Sequence, residues 1–529
     1  MALRAASTPL AALVAAVLAL ATLAWASPPG SLDDAFVVWA DARIWAGGNV
    51  PSVEGSTSAL DVAFKALLLK AVGPGVDPLQ AAGLAGMVFL AAAVALAALL
   101  GARLGGRAGA WLAAAGVGTS VGVAEALAFR LEGGLHLLVW TAAAGLAGLA
   151  RARATLLLAP LLALVRPEGL LLAPLVCAWA ARDPGAGPGT RALRFGACGA
   201  LLGAAVAALR LTLFGAPWPN TFFAKSSDAR SQEVADGFAY LGDALAGPAG
   251  VALLLIWILG LGIVGARAGR EGPHASTAAG LVGLSLLAAL VLVGSGGDAY
   301  DGARLALPLG APAWFAAAAA VRARPRVVGA VVGAALVLQI VGARPTPWPG
   351  AIPAARAAAA GVLRGPAGVE VLEEEPLAFA ALARALDGET VAHRHAQRLR
   401  WFEPSLSILD LTGLTDAEIA RLPHPGPNRF GRDALGLALE RRVGALHLDV
   451  PFAPSVPATA AWAQRSGPNG TPGGPLELLL GPGAVGAAEL SEAGYAAASF
   501  PLSSARWFNV FVRADLVERF ERAGFSVRR

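Results

Sequence analysis

The chain has 529 residues, of which 56% are hydrophobic and only 15% charged, against roughly 25% charge in a soluble globular domain. With a mean hydropathy of +0.62, these values exclude an ordinary soluble enzyme and predict a polytopic α-helical membrane protein. The formal charge of +5 does not point to nucleic acid, because the arginines fall in short gaps between apolar runs, where they report topology.

The first apolar run, 8–26, ends in Ala24-Trp25-Ala26, a passable cleavage site. It is read as an uncleaved helix. Just beyond it Asp33 and Asp34 stand together in what reads as a loop. The stretch 59–72 is apolar but short and carries Lys65 and Lys70, so it reads as an interfacial helix. A membrane helix needs about 20 apolar residues. Further runs cover 82–102, 108–128, 134–150, 154–166, 168–181, 195–214, 249–266, 277–294, 303–321 and 326–343, for about eleven spans in all. The pair 154–166 and 168–181 is short and split by Arg166-Pro167-Glu168-Gly169, a break tolerated at membrane depth where it lines a protein cavity. Cys177 and Cys198 lie inside apolar runs, which excludes a disulfide framework.

The arginines set the orientation. With the N-terminus in the cytoplasm, the inside gaps hold Arg103 and Arg107, Arg151 and Arg153, Arg182, Arg191 and Arg194, Arg267 and Arg270, and Arg322, Arg324 and Arg326. This is the positive-inside pattern without a break. The outside gaps then hold Asp33-Asp34, Glu132, Arg166-Pro167-Glu168, the stretch 217–225 and Gly296-Gly297-Asp298. All the unusual polar clusters fall on the extracytoplasmic face. After Val341 the composition changes, and 345–529 has no spanning segment. It reads as an extracytoplasmic mixed α/β domain, with buried strands at 405–411 and 445–450, an amphipathic helix at 514–523 and loops near 465–485.

Several clusters have the makings of a site. A carboxylate near a low-dielectric boundary has its pKa raised by desolvation and by a neighbouring acid, which suits Asp33 or Asp34 to general-base work. The same pair is also the candidate ligand set for a divalent ion such as Mg, Mn or Ca. Two prolines extend the backbone ahead of Asn220, and Lys225 can reach toward a phosphate from that aromatic-rich stretch. Arg304 begins a helix after a glycine-rich turn, where a phosphate also meets the helix dipole. The plain structural readings of the same residues are a solvated acid pair, an aromatic belt and a flexible loop. Glu132 and the Arg166/Glu168 pair also read as helix-end charges. His393 and His395 lack nearby ligands in the sequence, so a metal is not expected there.

In order, Asp33-Asp34-Ala35-Phe36, Val53-Glu54-Gly55-Ser56-Thr57, Arg166-Pro167-Glu168-Gly169, Pro219-Asn220-Thr221-Phe222-Phe223-Ala224-Lys225, Gly296-Gly297-Asp298 and Leu409-Asp410-Leu411-Thr412-Gly413-Leu414-Thr415-Asp416 resemble the motifs of bacterial GT-C membrane glycosyltransferases of the terminal arabinofuranosyltransferase type. The resemblance spans most of the chain. It implies a transferase domain over 1–344 and an inverting reaction at the outer face of the inner membrane. The sugar, arabinofuranose in that family, passes from a polyprenyl-phosphate donor to a cell-envelope glycan or glycoconjugate. It places the catalytic aspartate at Asp33 or Asp34. From the residues themselves, the outer-face cations Lys225 and Arg304, with Arg166 as a third, are the candidates for binding the donor phosphate, and Glu54, Asn220, Asp298 and Glu132 are the candidates for the substrate pocket. The chain departs from the family pattern at Ala40-Asp41, between Gly48 and Glu54, and at Ala299 and Asp301. Competing readings are a GT-C enzyme acting on lipid A or protein, a polytopic transporter of lipid or polysaccharide, and an inactive scaffold that keeps the fold. A transporter favours inverted repeats and mid-membrane polar residues, and neither is seen in the sequence.

Overall fold

A computed structural model describes residues 33–49, 56, 58–72, 78–120, 123, 132–182, 189–225, 230–265, 273–296, 304–322, 325–342, 370–393, 396–422, 434–447, 487–501 and 507–528. The expected span 8–26 and the loops near 465–485 lie outside these residues. The described chain is mostly helical, with a small sheet near its C-terminal end. It divides into two compact units. One holds 57–217 and 231–366 with the first 35 residues, and the other holds 36–56, 218–230 and 367–529.

In the first unit the helices are α2 (Ala59–Val72), α3 (Pro78–Gly118), α4 (Gly133–Gly148), α5 (Ala152–Val165), α6 (Gly169–Ala180), α7 (Thr190–Phe214), α9 (Arg230–Ala246), α10 (Pro248–Gly265), α11 (Pro273–Gly294), α12 (Leu307–Val321) and α13 (Pro325–Gly342). They follow α1 (Asp33–Ala46), and α8 (Asn220–Lys225) interrupts them after α7. Among the described residues three helices are long and apolar enough to cross a membrane, by length and composition: Ala85–Gly118, which is interrupted at Gly106, Thr190–Phe214 and Ser276–Gly294. The pair Glu233–Ala246 and Pro248–Gly262, bent by 95°, makes a fourth if it counts as one span. That is fewer than the expected eleven. The runs at 134–150, 154–166, 168–181 and 303–321 form the shorter helices α4, α5, α6 and α12. At 1.5 Å per residue, the 15 residues of α12 reach only about 22 Å, short of a hydrocarbon core of about 30 Å.

The expected break between 102 and 108 is present. Gly106 has φ 69° and ψ −153° within α3, a conformation open to glycine and strained for other residues. A Cβ on Gly101 would lie 2.4 Å from the Gly109 carbonyl oxygen. Eight residues of straight helix would separate these positions by about 12 Å, so α3 doubles back at Gly106. The partner of this hairpin is α12, every residue of which is buried. A Cβ on Gly105 would meet the Ala318 carbonyl at 1.9 Å, and one on Gly116 would meet the Trp314 ring at 1.9 Å. Pro312 lies inside α12 and has no N–H for the carbonyl of Pro308 four residues back. The indole of Trp140 donates to that carbonyl instead, at 2.6 Å.

The helix expected at 59–72 forms as α2 with Lys70 exposed, but Asp61 and Lys65 are buried. Lys65 donates to Asp61 at 2.7 Å with side chains only 2% and 4% exposed, and the Asp61 N–H is held by the Ser58 hydroxyl at 3.2 Å.

The second unit is built on a six-stranded sheet of order β2-β1-β3-β5-β4-β6. Its strands are β1 (Thr390–His393), β2 (Ser407–Asp410), β3 (Ala445–His447), β4 (Tyr495–Pro501), β5 (Trp507–Arg513) and β6 (Ser526–Arg528). β1 runs parallel to β2 and β3, and the β3–β5, β5–β4 and β4–β6 pairs are antiparallel. Strands expected at 405–411 and 445–450 are β2 and β3, and the expected helix at 514–523 is a short 3-10 turn, Ala514–Leu516, running into a helix at Val517–Arg522. The helix Glu370–Ala385 lays Phe379, Leu382 and Ala385 onto this sheet beside Phe520 and Phe525.

Removing one member of a buried ion pair leaves an uncompensated charge and costs about 3–5 kcal/mol. Lys65→Met should therefore lower the thermal unfolding midpoint of the full chain sharply, and adding Asp61→Leu should restore most of it. A single variant as stable as the parent would contradict the burial of this pair.

Candidate functional site

Three stretches far apart in sequence meet in the second unit. The first is α1 from Phe36 onward; Asp33 and Asp34, which begin this helix, fall in the first unit. The acids were expected in a loop after the first span, whereas the structure has them in the first turn of a helix; their side chains lie outside the description. Along α1, Phe36 approaches Phe402 at 6.0 Å between ring centroids and Trp39 meets Trp401 edge-on at 6.1 Å. Arg43 lies 5.4 Å above Trp401 and donates to its carbonyl at 2.5 Å. Residues 36, 39 and 43 follow helical spacing, so one face of α1 is bound to the end of the helix Ala396–Phe402. Asp41, flagged above as a departure, is buried, and its Oδ2 accepts from the Ser56 N–H at 3.2 Å.

The second stretch is α8, Asn220–Lys225. The third is the turn after β2. The Asn220 side-chain amide donates to the carbonyls of Gly413, Leu414 and Asp416 at 2.6, 3.2 and 3.2 Å. Its Oδ1 is buried without a partner among the described residues. Around it, Val37 of α1, Phe223 and Ala224 of α8, and Leu414 and Ala420 form one apolar cluster. Arg421 lies 5.0 Å above the Phe223 ring.

The turn itself is wound around Asp410. One carboxylate oxygen accepts from the Thr412 N–H and hydroxyl at 3.0 and 2.6 Å. The other accepts from Gln397 at 2.8 Å and from the Thr415 N–H and hydroxyl at 2.8 and 2.9 Å. Burial drives this carboxyl above the usual carboxylate range, against the hydrogen bonds from Thr412 and Thr415 that hold it down. Gly413 turns the chain at φ 73°, and a Cβ there would lie 2.9 Å from the Ala420 nitrogen. The Leu-Asp-Leu-Thr-Gly-Leu-Thr-Asp motif is thus a self-capped turn that presents three carbonyls to Asn220.

The first unit has its own polar cluster. Arg166 donates to Glu132 at 2.5 Å and, through Nε and Nη2, to both oxygens of Glu168 at 3.2 and 3.0 Å. The guanidinium expected to meet a donor phosphate is held here between two carboxylates. Pro167 breaks the chain, and a Cβ on Gly169 would lie 2.1 Å from the Leu162 carbonyl, so only glycine allows α6 to start so close to α5. His136, four residues after Glu132, lines a narrow cleft with Arg166 and Glu168 between Trp140, Leu172 and Leu292. His136 is a residue the sequence reading missed, although its i+4 spacing from Glu132 on a helical run was visible.

The remaining expected residues fall apart. Lys225 ends α8 and Arg304 begins the turn Arg304–Ala306; the side chains of both are outside the description. The Leu305 N–H in that turn donates to the Tyr240 hydroxyl at 3.0 Å. Glu54 and Asp298 lie outside the described residues. Glu132 and Arg166 are brought together, and Asn220 is placed on the Asp410 turn. Among the described residues no three His, Cys, Asp or Glu side chains gather as a metal-binding cluster. His393 does have a neighbour that sequence spacing hid: His447 stacks on it at 4.1 Å, with Phe508 4.7 Å from His447. No protein-family model, curated protein or solved structure matches the chain.

Each buried carbonyl left without a donor costs about 1–3 kcal/mol. Asn220→Ala should lower the thermal unfolding midpoint. Asn220→Asp should lower it further, because a carboxylate would face three carbonyl oxygens. If the aspartate variant melts with the parent, the amide is not holding the turn.

Proposed function

We propose that this chain is a membrane glycosyltransferase of GT-C type in the bacterial inner membrane. In this reading it moves a sugar, arabinofuranose in the family it resembles, from a polyprenyl-phosphate donor to an envelope glycan or glycoconjugate on the extracytoplasmic face. Residues 1–344 form the transferase and 345–529 its outer domain. Asp33 or Asp34 takes the proton from the acceptor hydroxyl as that oxygen attacks the anomeric carbon. The bond to the donor phosphate breaks on the opposite side, and configuration inverts. Lys225, at the end of the Asn220–Lys225 helix, offsets the charge that develops on the leaving phosphate.

The observation that carries the reading is the meeting of three motif stretches. The helix begun by Asp33 and Asp34, the Asn220–Lys225 helix and the turn after Asp410 share one apolar cluster, and an amide clamp joins the last two. Val37 of that cluster is one helical turn beyond Asp33. Residues 36–46, 220–225 and 410–416 have no local reason to associate. A shared site is a reason. Arg166, held between Glu132 and Glu168, is given a structural part in this scheme.

The test is turnover by the purified full chain given a synthetic polyprenyl-phosphoryl arabinofuranose and a glycan acceptor, beside the matching nucleotide sugar. The lipid-linked donor should be used and the nucleotide sugar should not. Asn in place of the catalytic aspartate, at 33 or 34, should slow transfer by about 10²–10⁴-fold. Turnover of the nucleotide sugar without a lipid carrier, or wild-type rates in both Asp33→Asn and Asp34→Asn, would overturn the proposal.

A further inference from the structure

The helix Ala434–Glu440 in the second unit ends in a turn closed by two backbone bonds, Val443 N–H to the Ala438 carbonyl at 3.2 Å and Arg442 N–H to the Leu439 carbonyl at 3.0 Å. This is the Schellman pattern, whose left-handed position is ordinarily glycine. Here it is Arg442, with φ 49°. The other left-handed positions of this unit among the described residues, at 48, 388, 413, 494 and 524, are all glycine. A Cβ makes that conformation unfavourable. The backbone gains nothing from arginine in particular, since its one special contact is the Arg442 carbonyl accepting from Arg513 Nη1 at 2.5 Å. What glycine could not supply is the side chain.

That side chain lines an open cleft of about 350 Å³, with Glu389, Thr390, Arg441, Arg513 and Asp515 on its other sides. The volume falls in the range of about 300–1,000 Å³ found for small-ligand sites. Two of the three guanidiniums are engaged. Arg513 donates to Asp515 at 2.7 and 3.1 Å and to Glu389 at 2.9 Å, and Arg441 donates to Glu418. The Arg442 guanidinium makes no hydrogen bond or ion pair with a described residue. The walls thus offer one uncommitted cation beside carboxylates and a threonine hydroxyl, with Val443 their one apolar side chain and no aromatic platform. A nucleobase, a lipid tail or an apolar peptide would find little to bury there. A sugar ring carrying a carboxylate or phosphate matches the site. Its anion would take the fork of Arg442, and its hydroxyls would donate to Glu389 and Asp515.

We infer that this cleft binds an anionic saccharide, with Arg442 as the anion's partner and its strained backbone retained for that contact. The inference does not rest on the transferase reading.

The experiment titrates the full chain in detergent with oligogalacturonate, a neutral dextran oligomer, inorganic phosphate and a short polyglutamate peptide. Oligogalacturonate should bind, and the other three should bind clearly more weakly or not at all. Arg442→Gly should weaken oligogalacturonate binding roughly tenfold or more while raising the thermal unfolding midpoint by roughly 2 °C, through relief of the strained residue. Arg442→Ala should lose the binding without the gain in stability. The inference is overturned if wild type fails to bind oligogalacturonate, if phosphate or polyglutamate binds as tightly, if Arg442→Gly keeps its affinity, or if that variant melts lower.

Discussion

A primary amide has two hydrogens to give, and Asn220 shares them among three carbonyls of one turn, the nearest 193 residues away along the chain. The second unit depends on that contact, because its parts come from three separate stretches of sequence. Neither α8, with six residues, nor the turn after Asp410 would keep its shape alone. A six-residue helix is below the length at which isolated helices persist in water. The turn is held from inside by the Asp410 carboxylate and from outside by Asn220. The apolar contacts of Val37, Phe223, Ala224, Leu414 and Ala420 then close around the pair. These hydrogen bonds fix one arrangement among the many that apolar contact alone would permit, with the Asn220 Oδ1 and the Gln397 Oε1 buried without a partner among the described residues.

In the first unit the same physics works through backbone carbonyls and close approach. Proline at 312 removes a helical donor, and Trp140 replaces it from another helix. Ser285 reinforces the same region, receiving from Trp257 at 2.9 Å and donating to the Leu309 carbonyl at 2.6 Å. Glycines at 101 and 105 let the α3 hairpin come within backbone contact of itself and of α12, and Gly116 makes room for the Trp314 ring. Small residues at helix contacts suit a chain in an apolar solvent, where helices associate through fit and hydrogen bonding. Charges in such a unit are expensive unless paired. The Asp61–Lys65 pair and the Glu132–Arg166–Glu168 cluster are the paired form.

The features legible in the sequence were the ones encoded locally. The Gly105-Gly106 break followed from charged residues between apolar runs, and β2 and β3 followed from short apolar stretches. Helix 514–523 followed from its amphipathic spacing. The length of α12 was not legible, because the apolar run at 303–321 continues past the point where the helix begins at Leu307. Asp33 and Asp34 looked like loop residues because adjacent acids and a nearby Ser-Pro-Pro-Gly stretch are loop signals, yet acids also suit the first turn of a helix. Asn220 was singled out, but its partners were invisible, since nothing near it in sequence names a carbonyl 193 residues away. The stack of His393 on His447 was hidden for the same reason: it follows from the register of β1 against β3. Arg442 carries no signal in composition at all, because a left-handed arginine is spelled like any other.

The central claim is that the turn at 410–416 owes its order to segments outside the C-terminal region. Hydrogen–deuterium exchange of the Gly413 and Thr415 amides, compared between the full chain and the fragment 367–529, tests it directly. The account predicts slow exchange in the full chain, where these amides are bonded to Asp410, and at least tenfold faster exchange in the fragment, which lacks Asn220 and Val37 and so loses roughly 1.4 kcal/mol or more of protection. Equal protection in the two would contradict it.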